Sequence, residues 1–139
     1  MADDVINVLN NTLSESKEPV LLLNDGLNTD NIRYLKGSYK TFVVRCYNIS
    51  FNEDIKNVEW YTRLCDFCKQ NSEDKVVVVF EGIDKLIGND ARIFDSLIVG
   101  DNSESVSFPT NAQLIFTAST YSSEKLNPKY FEKCSIIRN

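Results

Sequence analysis

The sequence predicts an α/β domain in three layers, a mainly parallel five-stranded sheet with helices on both faces. Three observations carry that expectation. Short runs of β-branched and apolar residues alternate along the chain with segments whose apolar residues recur at helical spacing. The strand-like runs, "VLLL" and "VVVVF" above all, are apolar throughout rather than at every second residue, as in strands covered on both sides. The alternation runs through all 139 residues without a repeat, a low-complexity tract or a linker, so the chain reads as one domain over 1–139, large enough for a real core.

The elements follow in order. "DDVINVLNNTLSES" (3–16) sets Val5, Ile6, Val8, Leu9 and Leu13 at helical spacing, and Pro19 ends that pattern. "PVLLLND" (19–25) is a short buried strand, and "GLNTD" (26–30) is a turn. A helix can start at Thr29 or Asp30 and end near Gly37. "KTFVVRCYNISF" (40–51) is the second strand. In "NEDIKNVEWYTRLCDFCKQNS" (52–72), Ile55, Val58, Tyr61, Leu64, Cys65 and Cys68 line one helical face. "DKVVVVFEG" (74–82) is the third strand, and "NDARIFDSLIV" (89–99) a short helix. "GDNSESVSFPTN" (100–111) is a polar loop and "AQLIFTAST" (112–120) the fourth strand. "NPKYFEK" (127–133) is a helical turn before a last strand, "CSIIRN" (134–139). Phe42, Tyr47, Trp60, Tyr61, Phe67 and Phe80 fall mostly on core positions and read as packing rather than as a platform for bases.

Composition narrows the function. Hydrophobic residues make up 42% of the chain and charged residues 25%, as in an ordinary soluble domain. The net charge of -5, with no run of Lys and Arg, argues against direct nucleic-acid binding. No apolar run reaches the ~20 residues that span a bilayer. "MADDVINVLNN" has no basic region and no long apolar stretch, so it is no signal peptide, and an intracellular location, cytoplasmic or nuclear, is expected. There is no histidine, which removes Ser-His-Asp and Cys-His catalysis and imidazole general-base chemistry from the chain. Of the four cysteines, Cys65 and Cys68 form a C-x-x-C within a helical pattern, while Cys46 and Cys134 sit singly in strand-like runs. A structural zinc site uses two paired motifs, so reduced, partly buried thiols are the preferred reading and no metal is expected.

In parallel α/β sheets the binding crevice lies beyond the carboxyl ends of the strands. Those ends are Asn24-Asp25, Glu81 to Asp84, and Thr117 to Thr120. "VVFEGIDKL" (78–86) resembles the magnesium-binding strand end of the AAA+ ATPases, where four apolar residues precede D-E-x-D and often K-L. "AQLIFTAST" is similar to the strand that carries their polar sensor. "EKLNPKYFEKCSIIR" (124–138) is similar to the segment after it, and "VLLLNDGLNTDNIRYL" (20–35) stands in the place of the phosphate-binding loop and its helix. The resemblance rests on the order of these elements over most of the chain. The polar insert before "PTNAQLIF" resembles the initiator-type and the MoxR-like members alike. It implies a P-loop-type core whose first strand lies between the fourth and the fifth.

The departures concern the chemistry. A phosphate-binding loop has the form G-x-x-x-x-G-K-S/T, with glycines that let backbone N–H groups curl round the phosphates and a lysine that neutralises them. "NDGLNTDNIR" (24–33) has one glycine, Gly26, no lysine, and acids at Asp25 and Asp30 that would repel a triphosphate. On the family's pattern Glu81 stands where the magnesium-binding Asp belongs, Gly82 where the water-activating Glu belongs, and Thr120 where the sensor Asn belongs. Moving the register by one residue restores the base at Glu81 but puts Phe80 at the metal position. Near the position of the family's arginine finger stand Lys133 and, further on, Arg138, basic groups that a neighbour's site could use. The family's helical lid has no counterpart before Asn139.

The resemblance therefore implies a catalytically inactive AAA+-like domain, a scaffold or regulatory module with no cofactor. Its partner would be a protein, such as another AAA+ subunit, or chromatin or replication proteins if the initiator-type likeness holds. Two other readings stay open. Asp25, Glu81 and Asp84 could converge on magnesium in a divergent NTPase. Alternatively, Asp25, Glu81 and Thr117-Ala118 match the acids and Thr-Ala of a receiver domain that has lost its phospho-acceptor, a fold whose first strand lies between the second and third. Without any family, Glu81 and Asp84 read as devices that start a helix, and Asp25 as a turn residue.

Overall fold

The structure, a computed structural model, describes residues 2–23, 39–46, 59–98 and 107–138, with side chains from residue 7 onward. Its elements run α1 (Ala2–Glu15), β1 (Val20–Leu23), β2 (Lys40–Arg45), α2 (Glu59–Gln70), β3 (Val76–Glu81), a 3-10 turn (Ile83–Lys85), α3 (Gly88–Ile98), β4 (Ala112–Ala118), a second 3-10 turn (Thr120–Lys125), α4 (Lys129–Lys133) and β5 (Ser135–Arg138). The expected helix over 29–39 falls almost wholly outside the described residues, and so do residues 47–51 of the longer second strand.

All strand pairs are parallel, and the order across the sheet is β2-β3-β4-β1-β5. The first strand thus lies between the fourth and fifth. A receiver would hold it between the second and third, so strand order overturns the receiver reading. Residues whose types also suit a receiver, Glu81 and Thr117, are set here in another topology.

The valine run explains why β3 is central. Val76, Val77, Val78, Val79 and Phe80 are all fully buried, because consecutive side chains point to opposite faces and both faces are covered. Val76, Val78 and Phe80 join Leu21, Leu23, Phe116 and residues of α2, α3 and α4 in one core cluster. Val77 and Val79 join Val20, Leu22, Ile115, Ile137 and, from α1, Leu9 and Leu13 in the other. Burying each such side chain is worth about 1.5–3 kcal/mol, so these two layers carry most of the drive to fold.

Phe80 is the hub of the larger layer. Its ring stacks on Phe116 at 5.3 Å and meets Trp60 and Phe94 edge-on, each at 5.5 Å. This hub turns α2 from the expected face. Its buried stripe is Trp60, Leu64 and Cys68, while Tyr61 and Cys65 are half-buried at the side, and Ile55 and Val58 lie outside the described residues. The indole fills more of the layer than Tyr61 would, so the helix rolls to bring Trp60 inward.

The amino end of the sheet is held by polar side chains that close helix ends. Lys75 Nζ donates to the carbonyls of Leu13 and Ser16 and to Gln113 Oε1, and Gln113 Nε2 donates to the Glu18 carbonyl at 2.8 Å. Asn111 Nδ2 reaches the carbonyls of Cys68, Asn71 and Asp74, each at 3.1 Å, and closes the end of α2. Among the described residues, no helix is long and apolar enough to cross a membrane.

Candidate functional site

The carboxyl ends of β3 and β4 lie side by side. β3 ends at Glu81, and Gly82 then takes φ 78 and ψ 51, a left-handed conformation that turns the chain into the first 3-10 turn. Glycine adopts it at no steric cost, whereas a side chain there is strained. The Gly82 N–H donates to Thr117 Oγ1 at 2.9 Å, and the Ser119 N–H donates to Asp84 Oδ2 at 3.3 Å. Ser119 Oγ in turn accepts from the Tyr121 N–H at 3.2 Å and caps the second 3-10 turn. Asp84 therefore ties one strand end to the next rather than capping the turn in which it lies.

Glu81 points toward β2. Its strand partner is Arg45, and Arg45 Nε lies 3.5 Å from Glu81 Oε2. The Glu81 side chain is 13% exposed and that of Arg45 42%. Oε2 is shut off from solvent and accepts no hydrogen bond from a described residue, so the Arg45 contact is an ion pair without hydrogen-bond geometry. Cys46, next in the chain, is buried against the same spot. Burial first, and then the Glu81 and Asp84 carboxylates, push its thiol up to about 12. A thiol so held stays neutral at ordinary pH, which makes it a poor nucleophile.

The other predicted residues divide. Thr120 opens the second 3-10 turn, half-buried, at the same end as Glu81, Gly82 and Asp84. Asp25 lies outside the described residues. Arg138, exposed, pairs with Leu23 at the carboxyl end of β5, whereas Lys133 ends α4 just before β5 begins, toward the opposite end of the sheet. The two basic residues do not share a place.

Cys65 and Cys68 sit on α2, all four cysteines are free thiols, and burial pushes Cys68 up to about 11 and Cys134 to about 12. Among the described residues no three Cys, Asp or Glu side chains are grouped to hold a metal ion. The described part of the site does not fit magnesium: Glu81 faces an arginine, and Gly82 has no side chain to offer.

The sequence reading missed Arg45 and Cys46 as parts of this site. Register shows both: Arg45 is opposite Glu81, and Cys46 follows it. Deeper in the same layer, Tyr130 Oη donates to Asp95 Oδ1 at 2.8 Å, joining α4 to α3. Burial raises the Asp95 carboxyl above its ordinary range, against hydrogen bonds from Tyr130 and Asn127 that lower it.

A five-stranded parallel sheet in this order, with helices on both faces, is the P-loop type of α/β fold. Among solved structures, the Walker-type ATPase of Pyrococcus abyssi is similar over 99% of this chain, with a TM-score of 0.60 and 13% identity. This chain covers 53% of that structure, about half its length. No family model matches the chain, and no curated protein matches it.

Proposed function

We propose that the chain is a catalytically silent AAA+-like domain that works by binding another protein, as a scaffold or regulatory module in a larger complex. The observation that carries this reading is the Arg45–Glu81 pair: the carboxylate at the metal position is held by the chain's own guanidinium. Two features support it. Gly82, at the position of the water-activating base, has no group to take a proton and bends the chain at a positive φ. The stretch "NDGLNTDNIR", in place of a phosphate-binding loop, has no lysine.

A protein partner gives a use to two exposed apolar side chains at this end of the sheet. Ile87 is 79% exposed beyond the first 3-10 turn, and Tyr121 is 85% exposed on the second. The two turns are in contact. In this reading the partner is another AAA+-type subunit, and Arg138 or Lys133 is the basic group offered to it. Chromatin or replication proteins enter only through the initiator-type likeness.

The rival reading, a magnesium-dependent NTPase built on Asp25, Glu81 and Asp84, needs Glu81 released from Arg45. Calorimetry with ATP and magnesium separates the two. The silent domain gives no binding heat at millimolar nucleotide, and micromolar affinity would overturn it.

A further inference from the structure

We propose that Arg45 is a built-in counter-ion, taking the place of a divalent cation at Glu81 and closing this end of the sheet to metal. The inference rests on the silent-domain reading and names the device that silences the site. Three observations converge. The β2–β3 ladder sets Arg45 directly opposite Glu81, so the pairing is fixed by the backbone rather than by two long side chains meeting by chance. Glu81 Oε2 is cut off from water, and its counter-charge among the described residues is Arg45, whose Nε lies 3.5 Å away. A carboxylate drawn out of water needs a counter-charge, and leaving it without one is strongly unfavourable. Finally, a second carboxylate, Asp84, stands on the 3-10 turn just beyond Glu81, where its Oδ2 accepts from the Ser119 N–H at 3.3 Å, so two negative groups share this strand end. Such a spot attracts a cation, and Arg45 already supplies one. A divalent ion that arrived would be repelled by the guanidinium and would have to draw Glu81 away from it.

Removing the guanidinium should uncover what it covers. The test is manganese(II) binding, followed by electron paramagnetic resonance, in four proteins: wild type, Arg45→Gln, Arg45→Lys, and Arg45→Gln combined with Glu81→Gln. Arg45→Gln should bind the ion about tenfold more tightly than wild type, the scale of one lost like-charge repulsion at contact range in water. Arg45→Lys, which keeps the charge, should stay at the wild-type level. The double variant should lose the gain, which assigns it to Glu81. Equal binding in wild type and Arg45→Gln overturns the proposal, and so does a gain that survives in the double variant. If Arg45→Gln unfolds, the double variant carries no unpaired carboxylate and should recover the fold; failure to recover also overturns the counter-ion. A wild type that binds ATP with magnesium at micromolar affinity sinks the silent-domain reading itself. Weak, equal manganese binding in all four proteins sinks only the role of Arg45.

Discussion

The two ends of the sheet use polar groups differently. At the amino end, Lys75, Gln113 and Asn111 donate to backbone carbonyls at and just beyond the ends of α1 and α2. At the carboxyl end, Glu81 is drawn inward, and its buried Oε2 has an ion contact but no hydrogen bond among the described residues, next to a glycine in a left-handed turn and a thiol held neutral. The first end is explained by folding alone. The second has a buried charge and a special backbone angle that the sheet does not require, which is where an α/β fold carries its function or the remains of one.

Stability measurements can break that contrast. Asn111→Ala removes the side-chain hydrogen bonds to three carbonyls and should lose about 2 kcal/mol in denaturant unfolding. A loss as small as that of a surface substitution would mean that the amino end is not the structural one. Gly82→Ala should lose about 1 kcal/mol, because the side chain must adopt the left-handed region. An unchanged midpoint would show that this turn relaxes freely. Glu81→Gln should change stability by less than about 1 kcal/mol, since its partner Arg45 is largely solvated. A loss as large as that of Asn111→Ala would make Glu81 a structural residue and erase the difference between the ends.

The smallest effect is a pH dependence between the two ends, at Asp95. Burial raises its carboxyl above the unfolded value, so the folded state favours the protonated form. Its stabilising contribution is full below the ordinary carboxylate range and fades as pH rises through the raised value. Asp95→Asn keeps an acceptor for Tyr130 and removes the charge. Melting temperatures taken across this window should therefore show wild type losing ground to Asp95→Asn as pH rises. The opposite trend would mean that the Tyr130 and Asn127 hydrogen bonds outweigh burial.

Much of the fold was legible because the signals are local. The run Val76 to Phe80 reads as a strand covered on both faces, and Pro19 and the polar stretch before Ala112 mark where β1 and β4 begin. The order of strands came from the likeness of successive strand ends rather than from any single residue. The 3-10 turn over Thr120–Lys125 was not foreseen, because "TYSSEK" has no periodicity and its cap, Ser119, is an ordinary loop residue. The site was half legible. Glu81, Gly82, Asp84 and Thr120 do come to one end of the sheet, but Arg45 and Cys46 join them only through the pairing of β2 with β3, and register across strands is not written in either strand alone. Gly82 was visible as a missing base, whereas its positive φ gives the structural reason for a glycine at that position.

The central claim is that the carboxyl end of the sheet is closed to metal and nucleotide, and nuclear magnetic resonance tests it at the residues themselves. The backbone amides of Gly82, Asp84 and Ser119 and the side-chain Nε–H of Arg45 can be followed while magnesium, and then ATP, is added. The account predicts that these four signals hold their positions into the millimolar range. Shifts that saturate at micromolar ligand would contradict it and mark the site as a working one.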